Sequence, residues 1–487
     1  MTRQPRVIII GAGMSGICMA ITLLRNGFDD LAIYEKADRG GGTWRDNTYP
    51  GLSCDVPSRF YQFTFAPNPD WTHFFAPGPE IDAYFARVAT EYGLPGRTRF
   101  GTEVTAAEFR DGRWSLTTAN GDHDSADFLI TATGLLHHPR LPHIPGMDTF
   151  AGASFHSARW DHRVELSGKR IGVIGTGSTG VQIVTALAGD AAHLDMFQRT
   201  PHWVLPLPNF RYSRAGSALY RGLPVLNKLS YRALRGVFEW FAVALIEPGQ
   251  RRHVIETLCR ISLLRIRDPE LRAVLTPDFD PMCKRLIISS GFFTAVDRDD
   301  VRVVTAAIEH IEPRGVVTAD GELHELDVLV YATGFDAHAF MRPMKLTGRD
   351  GLTIDQVWAE TPRAFHTVAI PGFPNLFTLI GPHSPVGNYA LTAIAESQST
   401  HILGWIQRWS ANDFDSIEPR QQATDTYNAE IREALPGTVW SSGCDSWYLG
   451  PDGTPELWPW TPDRHRTMLS HYNRADYTLR SVGDAGE

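Results

Sequence analysis

The chain has 487 residues, 43% of them hydrophobic and 11% aromatic, which is enough to bury the cores of two or three domains. Its net charge of −9, with Lys and Arg scattered along the chain, excludes a nucleic-acid surface and favours small-molecule chemistry. Five cysteines (Cys18, Cys54, Cys259, Cys283 and Cys444) are odd in number and lack any Cys-x-x-Cys spacing. No disulfide frame, thiolate metal site or disulfide-reductase chemistry is therefore expected, and the pattern fits a reducing compartment.

The first predicted strand, Val7 to Ile10, begins almost at the N-terminus, so no signal peptide is read and a cytoplasmic location is expected. It runs into Gly11-Ala-Gly13-Met-Ser-Gly16 and an apolar helix that stops near Asn26-Gly27. Gly11 permits a tight turn, Gly13 lets backbone amides approach a pyrophosphate, and Gly16 allows the helix to pack closely on the strand. A second strand, Leu31 to Tyr34, ends at Glu35, whose carboxylate is placed to accept from ribose hydroxyls. Strand, glycine turn, helix and acid together predict a dinucleotide site. The next stretch, Gly41-Gly42-Thr43-Trp44 with Tyr49-Pro50-Gly51 and Asp55, is too rich in turn residues for regular structure and reads as a loop beside the cofactor.

A strand over Asp127 to Ile130 closes on Thr131-Ala132-Thr133-Gly134, and the prolines between Leu141 and Gly146 mark a linker. Phe150, Gly152, His156, Trp160 and Asp161 follow, and by themselves fit either packing at a domain junction or a functional motif. Arg170 to Ile174 then forms a new strand leading into Gly175-Thr176-Gly177-Ser178-Thr179-Gly180 and a helix from Val181 to Leu187, which predicts a second dinucleotide site. After its next strand, Asp195 to Phe197, Gln198-Arg199-Thr200 stands where an NAD site would carry an acid. A guanidinium there can pair with a 2′-phosphate, so NADPH is favoured over NADH.

From about Pro206 to Met282 the periodicity is helical, which predicts a helical insertion; within it Trp240 to Ile246 is far short of the roughly 20 apolar residues of a membrane span and reads as a buried helix. Lys284-Arg285 comes next, and spacing alone leaves a surface dipeptide and a functional pair equally open. Val328 to Tyr331 with Ala332-Thr333-Gly334 repeats the earlier strand and turn. In the tail, Trp447, Trp458 and Trp460 must bury large area; packing is favoured over walling a substrate site, and the sequence leaves both open.

The F-x-G-x-x-x-H-x-x-x-W-D spacing of Phe150 to Asp161 resembles the fingerprint of type I Baeyer–Villiger monooxygenases. The Gly41 to Asp55 segment looks like that family's second signature, in which Trp44 and Asp55 line the flavin, and Tyr61 matches a further flavin contact. Lys284-Arg285 matches a pair in which the lysine reaches the NADP phosphate and the arginine sits over the flavin. Gly381 to Pro385 with Asn388 is similar to a flavin loop. Phe292-Phe293 and Asp297 depart from the family's tyrosine pair and asparagine, and Trp460 replaces a glycine.

The resemblance implies an α/β protein of two Rossmann-like domains: an FAD-binding domain over 1–145, resumed over 336–487, and an NADPH-binding domain over 146–335 that carries the helical insertion of about 206–282. FAD would be bound by Gly11, Gly13, Gly16, Glu35, Thr43, Trp44, Asp55 and Tyr61. NADPH would be bound by Gly175 to Gly180, Arg199, Thr200, Lys284 and Arg285. Arg285 and Asp55 are the expected catalytic pair, while Phe150, Gly152, His156, Trp160 and Asp161 couple the domains. No metal is implied. The implied activity uses NADPH and molecular oxygen to insert oxygen beside a ketone carbonyl through a C4a-peroxyflavin. Oxygenation of N or S atoms, as in flavin-containing monooxygenases, and a non-catalytic FAD/NADP redox sensor are the rivals.

Overall fold

The computed structural model describes residues 3–384 and 387–481, and its frame is a pair of parallel five-stranded sheets, each built on one of the predicted glycine loops. The strands of the first are β1 (Val7–Ile10), β2 (Leu31–Tyr34), β3 (Thr98–Arg99), β4 (Phe128–Thr131) and, far down the chain, β10 (Leu376–Thr378). Those of the second are β5 (Ala153–His156), β6 (Arg170–Ile174), β7 (His193–Phe197), β8 (Val301–Val304) and β9 (Val328–Tyr331). Their orders are β10-β4-β1-β2-β3 and β8-β7-β6-β9-β5. The central strands are unbroken apolar runs because both faces are covered; Val7 to Ile10 and Val328 to Tyr331 are buried throughout. The fold is thus the expected α/β class, and the first sheet gains its last strand only after the second is complete.

The two units repeat each other at atomic detail. A Cβ at Gly16 would stand 1.9 Å from the Gly11 carbonyl oxygen, and one at Gly180 would stand 2.1 Å from the Gly175 carbonyl oxygen. Gly11 and Gly175 have φ of +109° and +117°, and a Cβ on either would meet the carbonyl oxygen of Ala132 or Ala332 at 2.5 and 2.4 Å. The two Ala-Thr-Gly turns thus roof the two glycine loops. Each unit also carries three antiparallel strands, over residues 104–126 and 308–325, just before the strand that ends on that turn, and the first set is joined in parallel by Lys345–Thr347.

Helix α1 (Met14–Arg25) follows the first loop and α2 (Ser178–Leu187) the second. Three helices occupy most of the predicted insertion: α3 (Arg214–Gly222), α4 (Val225–Ile246) and α5 (Gln250–Leu263). Parallel pairing of Val204-Leu205 with Ile287-Ile288 closes its base. Ala242, Ala244, Leu245 and Ile246 are buried as expected, whereas Trp240 is exposed. Among the described residues no helix is long and apolar enough to cross a membrane. The chain returns to the first sheet through β10, and helix α6 (Leu391–Ser410), which follows, packs on α1.

One expectation fails. Cys283 and Cys444 form a disulfide across 161 residues, with Cα atoms 6.1 Å apart, while Cys18, Cys54 and Cys259 are free and buried. Spacing could not show it, because the pair meets only when the tail folds back over the residues after the insertion. The argument from cysteines to a reducing compartment falls with it.

Because the Gly180 contact is backbone on backbone, Gly180→Ala is expected to destabilise the fold by about 1–3 kcal/mol. A urea midpoint unchanged from wild type would show that α2 does not need this approach.

Candidate functional site

A cavity of about 1840 Å³, counting its open mouth, lies at the carboxyl ends of β1, β2 and β4, where α1 begins. Gly11, Gly13, Glu35, Thr43, Trp44 and Tyr61 line it, joined by Arg285 from beyond the helical insertion. Gly16 is buried behind it, in the helix–strand contact. Helix α1 starts at Gly13 with no side-chain cap and no acid in its first turn, so its free N–H groups form an anion seat. Gly42, with φ of +55°, faces Gly13 so closely that a Cβ on Gly42 would lie 3.0 Å from the Gly13 Cα. The floor of this cradle is therefore bare backbone.

Buried Glu35 accepts from the Ala12 and Ala37 N–H groups at 2.9 and 3.0 Å and pairs with Arg45 at 3.1 Å. These bonds fix its position while leaving lone pairs for ribose hydroxyls. Trp44 Nε1 donates to the Tyr61 hydroxyl at 3.2 Å, and the two rings meet edge to face with centroids 5.6 Å apart. Burial raises the Tyr61 phenol, which stays protonated. A bare anion seat, a held carboxylate and an aromatic wall fit FAD.

Asp55 does not line the cavity but holds the residue that does. Arg285 Nε and one Nη each donate to its carboxylate at 2.7 Å, a bidentate pair. Burial opposes the guanidinium charge, but Asp55 outweighs it and the pKa is raised. The Arg285 side chain keeps 32% of its surface open, toward the cavity. The buried Tyr448 hydroxyl faces the same guanidinium, and burial raises its pKa more than Arg285 lowers it. Arg285 is thus a fixed cation with aromatic neighbours at a half-enclosed site.

The second glycine loop has the same plan. Helix α2 starts at Gly177 with no side-chain cap and no acid in its first turn. Thr176 Oγ1 donates to the Thr200 carbonyl at 2.7 Å, tying the loop to the segment after β7. Arg199 stands 90% exposed, its only close carboxylate among the described residues being Asp445 at 3.9 Å. Lys284 lies 4.7 Å from the Phe279 ring, and burial lowers its pKa although Asp445 favours its charge. Bare loop and basic side chains suit a phosphorylated dinucleotide.

A clasp joins the units. The Tyr49 hydroxyl donates to Gln182 Oε1 at 2.9 Å and accepts from Thr179 at 3.3 Å, while Gln182 Nε2 donates to the Ser53 carbonyl at 3.0 Å. Burial pushes the Tyr49 phenol up to about 12. A Cβ on Gly51 would stand 2.5 Å from the Gln182 carbonyl oxygen. The Tyr-Pro-Gly segment thus docks on α2 instead of covering the flavin site. Gln182 carried no sequence signal.

The fingerprint residues lie elsewhere. His156 Nε2–H donates to the Gly334 carbonyl at 3.0 Å and Nδ1 accepts from Ala158 N–H at 3.1 Å, so both ring nitrogens are engaged and burial lowers the pKa. Phe150 packs under the second sheet, and a Cβ on Gly152 would meet the Asp327 carbonyl oxygen at 2.4 Å. Trp160 meets Phe155 edge to face at 4.9 Å, and Asp161 is bound by its neighbour Arg163, which draws its pKa down to about 2. Phe155, Trp160 and Asp161 border a separate, open depression.

In the tail, Trp458 is buried and meets Trp460 at 4.9 Å, as packing requires, but Trp447 lines the cavity beside Tyr448. The expectation that all three tryptophans pack is corrected for Trp447. The disulfide explains it, because Cys444 is tied next to Lys284 and Arg285 and carries the tail to the cavity. Phe292 and Phe293 are buried in the core of the second unit and do not line the cavity. Asn388 Nδ2 donates to the Leu286 carbonyl at 3.1 Å, and Pro385 lies outside the described residues.

A nucleotide seat at the cavity and a second one on the unit clasped to it define a two-dinucleotide flavoprotein oxidoreductase. The flavin-binding monooxygenase-like family model matches residues 4–210. The chain is 59% identical to an uncharacterized monooxygenase of Mycobacterium bovis, over 98% of this chain and 97% of that one. It is 37% identical to a Baeyer–Villiger monooxygenase of Streptomyces coelicolor, over 97% of this chain and 92% of that one. A solved structure of an oxidized steroid monooxygenase bound to NADP superposes with a TM-score of 0.88 at 29% identity, covering 98% of this chain and 100% of that one. The chain belongs to the type I Baeyer–Villiger monooxygenase family, and as a member it is an FAD-dependent monooxygenase driven by NADPH.

A double-mutant cycle of Asp55→Asn and Arg285→Met is expected to give a coupling of about 1–3 kcal/mol in urea unfolding, because each single change strands the other partner. Simple additivity of the two changes would mean that the ion pair contributes nothing.

Proposed function

We propose that this enzyme inserts one oxygen atom from O2 next to a ketone carbonyl, giving an ester or lactone. The observation that carries the proposal is Arg285, a permanent cation held bidentately by Asp55 on the wall of a cavity that Trp44, Tyr61, Trp447 and Tyr448 also line. FAD, when bound, supplies the redox chemistry: it takes a hydride from NADPH and activates oxygen.

The protein's own part is to seat, orient and exclude water. The Gly11 loop and the N-terminus of α1 take the FAD pyrophosphate, Glu35 takes ribose hydroxyls, and Thr43, Trp44 and Tyr61 wall the site. Arg285 holds negative charge on oxygen at the reacting centre, and arginine serves because it cannot lose its proton. Asp55 is a positioning residue that sets the plane of the guanidinium. Tyr448 faces it from the buried side, which keeps water away there and strengthens the cation's field, and Trp447 walls the same cavity. Gly175 to Gly180 seat the NADPH pyrophosphate, with Arg199, Thr200 and Lys284 toward the 2′-phosphate. The clasp of Tyr49 on Gln182 brings nicotinamide and flavin seats together, which lowers the entropy cost of hydride transfer. His156, with both nitrogens engaged, serves the junction between the units and moves no proton.

Arg285→Ala is expected to lower ester formation from a ketone by about a thousandfold, while NADPH is still consumed and hydrogen peroxide released. Mass spectrometry of the product beside a peroxide assay checks this, and wild-type ester from the variant would remove Arg285 from the chemistry. Arg199→Ala is expected to raise the NADPH KM by roughly 10- to 100-fold and leave that for NADH unchanged, since only the 2′-phosphate contact is lost. Equal effects on the two coenzymes would overturn the phosphate assignment.

A further inference from the structure

The helical insertion exposes a continuous apolar face. Along α4, Val225, Leu229, Ala233, Val237 and Trp240 recur every three or four residues on one side, with Leu229 and Val237 53% and 58% exposed. Along α5, Arg251, Val254, Leu258 and Ile261 do the same, and Leu264 at its end is 65% exposed. The Arg251 guanidinium lies 5.9 Å from the Trp240 ring, which joins the two stripes at the turn between the helices. Leu219 and Leu223 continue the apolar surface at the end of α3, which packs on α4.

These residues are not the helices' inward faces left partly bare. Tyr231 and Phe238 of α4 pack around Phe60 at 5.3 and 5.7 Å, and Ile255 and Cys259 of α5 are buried. Helix α4 therefore has apolar residues on opposite sides, one covered by protein and one open, and an open apolar face of this extent marks an interaction site.

Charge selects the occupant. Residues 214–263 carry eight Lys and Arg against three Glu, within a chain whose net charge is −9. Lys228 and Arg232 border the α4 stripe and Arg251 stands in the α5 stripe; all three are exposed and have no acidic partner among the described residues. Of the three acids, Glu239 pairs with Arg235 and Glu256 is half-buried, which leaves Glu247 at the turn as the one exposed. A second copy of this chain seated on the same patch would set this positive charge against itself.

We infer that this face docks on an anionic lipid surface. Leucine, valine and tryptophan side chains enter the boundary between headgroups and acyl chains, and the lysine and arginines meet lipid phosphates. Among the described residues no helix is long and apolar enough to cross the bilayer, so the face would lie on it. The inner side of α4 touches Phe60, which packs at 5.1 Å on the cavity residue Tyr389, so one helix separates lipid from the flavin site. An apolar substrate dissolved in the bilayer would then meet the enzyme at this helix. Docking itself does not depend on the ketone assignment above.

The test is co-sedimentation of the FAD-loaded enzyme with vesicles of phosphatidylcholine alone or mixed equally with phosphatidylglycerol. The enzyme is expected to pellet with the anionic vesicles and to bind at least about tenfold less to the neutral ones or in molar salt. Val237→Glu with Leu258→Glu is expected to abolish binding while FAD content and NADPH oxidation stay at wild-type levels. Lys228→Gln, Arg232→Gln and Arg251→Gln together are expected to remove the preference for anionic lipid without touching the apolar stripe. Wild-type enzyme that stays in the supernatant with both vesicles overturns the inference. A concentration-dependent dimer in sedimentation velocity that Val237→Glu dissolves, without vesicle binding, overturns it in favour of a second copy.

Discussion

The Asp55–Arg285 pair is the constraint around which the molecule closes. Its partners are 230 residues apart and belong to different nucleotide units, one in the loop after β2 and the other just beyond the helical insertion. A part-buried guanidinium without its carboxylate is costly, so the state in which both segments arrive together is favoured over every state in which only one does. Three contacts of different kinds bring them together. Glycine lets α2 sit against its strand, Tyr49 and Gln182 clasp the loop to α2, and the Cys283–Cys444 disulfide holds the segment before Arg285 to the tail.

The most diagnostic stretch of the sequence and the site of chemistry are different places. Phe150, Gly152, His156, Trp160 and Asp161 all lie outside the flavin cavity. His156 instead ties the start of the second unit to Gly334, where the chain leaves that unit's last strand, Val328–Tyr331, with which its own strand pairs. Those contacts suit a hinge region: small residues where backbones touch, and a histidine with no nitrogen to spare. They also account for the spacing, because residues before, within and after one short strand must each meet a different neighbour.

The tail acts on the site from outside either glycine loop. Trp447 and Tyr448 reach the cavity, and Asp445, one residue past the disulfide, stands beside Arg199 on the other nucleotide seat. A single short segment therefore contacts both seats. Helix α4 likewise works on two sides, its inner residues packed toward the flavin site and its outer ones open, so the insertion links the buried site to whatever surface the enzyme meets.

Much of the plan was legible in the sequence. Both parallel-sheet units, the glycine loops at the starts of α1 and α2, Glu35 after β2, Arg199 in place of an acid and the helical insertion follow from local rules: apolar runs mark buried strands, and bare backbone at a helix start marks an anion seat. The family signatures added the association of Asp55 with Arg285 and the placing of Trp44 and Tyr61 on the cavity wall. What tertiary structure alone decided are the contacts between segments distant in the chain. The Gln182 clasp, the Cys283–Cys444 bond, the turn of Trp447 into the cavity and the open face of α4 leave no local trace. A glutamine, a cysteine or an exposed valine reads the same in sequence whatever it meets, and its partner is set only when the sheets close on each other.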